Sequence, residues 1–271
     1  MSTQKPIKCV CNFCGPSTAK DSREHLFAEW MKDAFDGIIV GRGTVEIGVG
    51  DGEPIRFSSA PFEDRIWGFC EDCNGGWMNA METRVRPVIT PMMTANASTS
   101  LTPAEQLALA NWAIKTVLVL DHQSPQNRSI PDSEYGAFYK KKQPLKNHVV
   151  WIGRIDPTKE MKLADTVLQK IRRTRIDTSD DGLVKQVRED IVDGRWMYVS
   201  TFSIGFVVLQ VWGHNLTHAM KVDTGVDHQS VMKRIWPVQG DVTWPPDISV
   251  DTYVGGIRAI QNVFIPDEES P

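Results

Sequence analysis

Cys70-Glu71-Asp72-Cys73-Asn74-Gly75-Gly76-Trp77-Met78 answers an earlier Cys11-Asn12-Phe13-Cys14, and these two stretches decide what the chain can fold into. Each is a C-x-x-C knuckle, whose turn lets two thiolates converge on one ion, and two knuckles complete a closed, tetrahedral, four-cysteine zinc site. Gly15 and Gly75-Gly76 follow the pairs, where tight turns need small residues. The chain has five cysteines, all within its first 73 residues. An odd, clustered set is unlike a secreted disulfide framework and points to metal. Cys9 stands outside the best pairing, because it is five residues from Cys14 and suits a knuckle less well than Cys11. Zinc held by four thiolates is saturated, so its role is structural, and any chemistry belongs to the residues it positions.

Those residues stand between and just after the knuckles. They are Ser22-Arg23-Glu24-His25-Leu26-Phe27, between the knuckles, and Asn74, fixed against Cys73. Glu24 offers a hard carboxylate oxygen suited to Mg2+ or Mn2+, and Asn74 a second, neutral one. If the pair lies on a strand, His25 points to the opposite side from Glu24, as a base must if it is to act on water rather than bind the metal. Its ordinary pKa near 6.5 suits proton abstraction at neutral pH.

This combination resembles the HNH, or ββα-metal, endonucleases that carry a structural zinc: Cys-x-x-Cys, an acidic residue followed by His, then Cys-x-x-Cys-Asn. The Asn directly after the last cysteine is similar to the endonuclease VII branch. The wider stretches Arg23–Trp30 and Cys70–Met78 also resemble uncharacterised bacterial and phage HNH proteins. The likeness covers roughly residues 9–85, about a third of the chain. It implies Mg2+ or Mn2+ held by Glu24 and Asn74, His25 as general base, zinc on Cys11, Cys14, Cys70 and Cys73, and hydrolysis of phosphodiester bonds in DNA. The chain departs from the pattern in having Glu rather than Asp before the histidine. It also has no histidine in the helix after Asn74, so the third ligand is missing or replaced by Asn79 or Glu82. The alternative is a catalytically degenerate module that keeps the zinc and binds nucleic acid or protein.

Beyond the motif, 271 residues with 41% apolar and 24% charged side chains describe a folded chain able to bury a core without disulfides. The start, MSTQKPIKCV, lacks a signal-peptide pattern, and no apolar run is long enough to span a bilayer. The expectation is therefore a cytoplasmic protein with no membrane partner, in which a homodimer is allowed. The net charge of −4 hides a marked asymmetry: residues 138–175 carry 11 Lys/Arg against 3 Asp/Glu, whereas every other region is acidic. Lys140, Lys141, Lys142 and Lys146, then Arg172, Arg173 and Arg175, make this segment the expected contact with phosphates of duplex or branched DNA. Arg84 and Arg86, on the helix after the second knuckle, are further phosphate contacts or solvated charges. Trp30, Trp67 and Trp77 are expected in the core of the small module. His122, His148, His214, His218 and His228 share no metal spacing beyond His214-x-x-x-His218, where Gly213 and Asn215 point to a loop.

Thr102, Pro103 and Glu105 form a capping box that opens a helix through an almost wholly apolar run to Leu120. Thr44–Ile47 and His148–Ile155 read as strands, 158–173 as a helix, and 195–203 with 206–212 as a hairpin turning at Ile204-Gly205. Trp236-Pro237 and Trp244-Pro245-Pro246 read as segments wrapping the surface. The fold class is α+β: a zinc-bound ββα-metal (treble-clef-like) module over 1–95, a bridging helix over 96–125, and a mixed α/β accessory domain over 126–271.

Overall fold

A computed structural model of the chain describes residues 6–35, 43–49, 55–59, 62–123, 128, 130–156, 164–170, 196–215, 220–222, 228–252 and 264–266. The protein is a mixed α+β structure. In chain order, β1 (Cys9–Cys11) and β2 (Gly15–Ser17) form the hairpin of the first knuckle. β3 (Asp21–His25) leads to α1 (Glu29–Ala34). β4 (Gly43–Val49) and β5 (Ile55–Ser59) follow, then β6 (Arg65–Cys70), which returns to pair antiparallel with β3. A widened helical turn over Cys73–Met78 enters α2 (Asn79–Ala95), and β7 (Thr99–Leu101) precedes α3 (Pro103–Leu120).

The helix α3 begins as its sequence demands. The Thr102 hydroxyl accepts the Glu105 amide at 3.4 Å, and the Glu105 carboxylate accepts the Thr102 amide at 2.8 Å. From Ala108 to Leu120 every residue is buried, so an all-round apolar helix runs through the middle of the protein. α4 (Asp132–Lys141) is a helix that the sequence reading does not contain. Its acidic first turn and basic last turn complement the helix dipole, while Tyr135 and Phe138, three apart, face the core.

The rest is sheet. β8 (His148–Arg154), β9 (Ala164–Lys170), β10 (Met197–Ile204), β11 (Val207–His214) and β13 (Met232–Trp236) join β4 and β5 in the order β13-β8-β11-β10-β9-β4-β5. All pairings are antiparallel except β4 with β9. Two small pairs complete the described strands: β12 (Met220–Val222) with β15 (Phe264–Pro266), and β14 (Val242–Trp244) with β7. The hairpin expected at Ile204-Gly205 is present. Gly205, at φ +54°, lies so close to the Met93 carbonyl that no Cβ fits there, and the Phe206 amide donates to that carbonyl at 3.1 Å. The hairpin tip is thereby locked to the end of α2.

Four expectations need correction. The helix over 158–173 is instead strand β9 over its described part, because pairing with β10 on one side and β4 on the other outweighs local helix propensity. The boundaries at 95 and 125 do not divide the structure: β4 and β5 extend the large sheet, and one apolar core runs from Cys11 to Trp244. Trp244 does not wrap the surface. It is fully buried and donates its indole N–H to the Gly153 carbonyl at 3.0 Å. Trp67, expected in the core, is 53% exposed, whereas Trp30 and Trp77 do pack against it. Among the described residues no helix is long and apolar enough to cross a membrane.

Candidate functional site

Cys11, Cys14, Cys70 and Cys73 bring their sulfurs within 4.8 Å of one another, and none is in a disulfide. The hairpin β1–β2 supplies the first pair, and the end of β6 with the following turn supplies the second. Asn12, inside the first knuckle, donates to the Gly68 carbonyl at 2.7 Å, and its amide fills the space where a Gly68 Cβ would stand. That contact holds the two knuckles in register.

Crowding makes the thiols interdependent. A hydrogen bond from Cys73, helped by the backbone N–H groups of Cys14, Cys70 and Phe13, brings Cys11 down to about 4 despite its burial. Burial and the neighbouring sulfurs push Cys14 up to about 12, and the Cys11 thiolate, with burial, raises Cys73 strongly. Four sulfurs crowded in this way resist ionising together, and a cation bound among them would relieve that repulsion. The donor set, all sulfur and closed, suits structural zinc. Cys9 lies outside the cluster, with its thiol 3.4 Å from the Ala19 carbonyl.

The second knuckle is tied directly to β3. Asn74 donates from Nδ2 to the Ser22 hydroxyl at 2.9 Å and to the Arg23 carbonyl at 3.1 Å. His25 lies two residues further along the same strand, half-buried and directly across from Arg65 of β6. Arg23, Arg65 and Trp67 are exposed, and the Arg23 guanidinium sits 4.2 Å from the centre of the Trp67 ring. Two guanidinium groups and an aromatic plate thus share a neighbourhood with the histidine. The sequence reading assigns neither arginine a role and places Trp67 in the core, since a surface Arg or Trp carries no spacing signal.

Glu24 does not present its carboxylate to solvent or to Asn74. It is 4% exposed and accepts a hydrogen bond from the Lys115 ammonium at 2.9 Å. Lys115, fully buried in the middle of α3, also donates to Glu82 of α2 at 2.7 Å. Burial pushes the Glu24 carboxyl up, and the attraction of Lys115 reverses this only in part. Burial pulls the Lys115 ammonium down, and the two carboxylates together more than reverse it, so the lysine stays charged. The expected Mg2+ or Mn2+ ligand is therefore already engaged by a protein cation, and these residues do not fit a divalent ion coordinated by Glu24. Glu82, weighed from sequence as a replacement ligand, is engaged in the same way, and Asn79 is exposed. The sequence does carry one sign of this arrangement: a single lysine inside an otherwise apolar helix must find buried counter-charge.

The residues expected to contact phosphate divide. Lys140, Lys141 and Lys142, with Lys146, are exposed at and beyond the end of α4. Tyr139 of that turn packs on Trp77 with ring centres 6.1 Å apart, and its hydroxyl is raised by burial and by the four cysteines. Arg172, Arg173 and Arg175 lie outside the described residues. Arg84 is exposed, and Arg86 is exposed over the Trp30 ring at 5.1 Å. The described histidines other than His25 have packing roles. His148 is buried between Tyr198 and Glu134, at 3.1 and 3.2 Å, and His228 meets Gln210 at 2.8 Å. His214 ends β11, where burial pulls its imidazole down, and His218 lies outside the described residues. No protein-family model, curated protein or solved structure matches the chain.

Proposed function

We propose that the chain is a zinc-stabilised endonuclease of the HNH kind that hydrolyses phosphodiester bonds in DNA. What carries this reading is the tie between zinc centre and strand: Asn74, adjacent to Cys73, is bonded to Ser22 and the Arg23 carbonyl and so fixes the strand that bears His25. The succession of β3 paired with β6, then the turn over 73–78 and α2, supports a ββα-metal arrangement around that strand. His25 acts as general base. It takes the proton from a water molecule, the water oxygen attacks phosphorus, and the bond to the leaving sugar oxygen breaks as that oxygen takes a proton from solvent. Arg65, directly across from His25, and Arg23 hold the phosphate and balance charge as it develops. Lys140, Lys141 and Lys142 hold the neighbouring backbone. No step is assigned to a divalent ion on Glu24, since that carboxylate belongs to Lys115.

A second reading has its own support. A carboxylate withdrawn into an ion pair is also what a catalytically silent, zinc-dependent nucleic-acid-binding module would keep. Plasmid nicking with zinc-loaded protein, in Mg2+, in Mn2+ and in a chelator too weak to strip the zinc, separates the two. The nuclease reading requires nicking by the wild type and a loss of two to four orders of magnitude in His25→Ala, about what a general base contributes. DNA binding without nicking in any condition supports the binding module instead.

A further inference from the structure

We propose that Lys115 is the resident cation of the site between β3 and α2, taking the place that a divalent metal would otherwise occupy between Glu24 and Glu82. Its ammonium is 2.9 Å from Glu24 and 2.7 Å from Glu82, and the lysine side chain has no exposed surface. The three groups come from β3, α2 and α3, so they meet only in the finished fold. Two carboxylates drawn together with so little exposure repel each other and lose hydration, and only a cation between them makes the arrangement stable. An ammonium has three donors, and here two of them are given to carboxylates. A divalent ion would need those same oxygens at about 2.0–2.1 Å for Mg2+, and it would meet a buried positive charge a few ångströms away. The two cations exclude each other.

The ammonium also does mechanical work that a soluble ion would have to be bound to do. It anchors the buried face of β3 to α2 and α3 at the residue next to His25. Lys115 is thus a positioning residue whose catalytic consequence rests on the nuclease reading above, while the exclusion of metal does not depend on it.

The test is Mn2+ binding to the zinc-loaded full chain, followed by loss of the free Mn2+ signal in electron paramagnetic resonance. Wild type, Glu24→Gln, Glu82→Gln and Lys115→Met are compared, together with Lys115→Met carrying Glu24→Gln. Wild type and the two Gln variants should show the same Mn2+ uptake. Lys115→Met should gain one site, at least tenfold tighter than any in the wild type, and lose it when Glu24→Gln is added. Mn2+ uptake by the wild type that disappears in Glu24→Gln or Glu82→Gln would overturn the proposal. So would a folded Lys115→Met that gains no site. Should Lys115→Met fail to fold, the wild-type comparison with the two Gln variants decides alone. A wild type that neither nicks DNA nor shows Glu24-dependent Mn2+ uptake would defeat the nuclease reading and leave this one standing.

Discussion

Lys115 and Glu24, 91 positions apart in the chain, form an ion pair at 2.9 Å in which neither side chain is more than 5% exposed. A pair of this kind is weak evidence for stability as a whole, but removing one partner strands the other. Lys115→Met should therefore cost about 3–5 kcal/mol in denaturant unfolding at pH 7. Adding Glu24→Gln to it should recover part of that loss, because the more deeply buried of the two stranded carboxylates is then gone and Glu82 lies nearer the surface. The sign with pH follows from Glu24, whose folded-state carboxyl is raised and would rise further without the lysine. A raised carboxyl favours the folded state at low pH, so the penalty of Lys115→Met should shrink as pH falls toward the ordinary carboxylate range.

The four cysteines should hold about one zinc per chain, as required for a closed site of four thiolates. Cys70→Ser should lose that zinc together with solubility, since the metal holds two knuckles that otherwise crowd four thiols into one space. Metal analysis of freshly purified wild type and variant checks this, and zinc-free wild type with an intact fold would refute it.

His122 gives the four-cysteine module a pH limit. Its Nδ1 faces the Asn12 amide at 3.5 Å, and its ring packs edge-on against Phe69 and Tyr135. Burial, helped by Arg128, lowers it from 6.5 to about 4. A depressed histidine stabilises the fold above its unfolded pKa, and that contribution is lost as pH falls from 6.5 through about 4. After allowance for partial exposure the loss should be about 2 kcal/mol. Thermal unfolding between pH 7 and pH 4 should show this slope, and His122→Gln should flatten it. An unchanged slope in the variant would assign it to other groups.

Lys140→Ala, Lys141→Ala and Lys142→Ala combined should weaken DNA binding at low salt. The dependence of affinity on salt should flatten by roughly one slope unit per lost phosphate contact. Zinc content and the unfolding midpoint should not move, because all three side chains are exposed. A triple variant that binds like wild type would make this face merely solvated.

The parts of this protein that its sequence determined are those whose cause lies within a few residues. The i, i+3 spacing of Cys11 with Cys14 and of Cys70 with Cys73 aims each thiol pair at one point, whatever surrounds it. Thr102 and Glu105 start α3 by bonding each other's backbone, and Gly205 turns the β10–β11 hairpin because only a residue without a Cβ fits there. Burial of α3 was equally legible, since an all-round apolar helix has nowhere else to go. What only the tertiary structure decided was the outcome of competition between distant groups. Residues 164–170 became a strand because two neighbouring strands offered hydrogen bonds that no local propensity anticipates. Glu24 reads as a metal ligand from its chemistry and its neighbour His25, but the cation that reaches it is a lysine from helix α3. A carboxylate in sequence states only that it wants positive charge; which charge arrives is settled when the chain closes on itself, by whichever cation the packed core has already brought within reach.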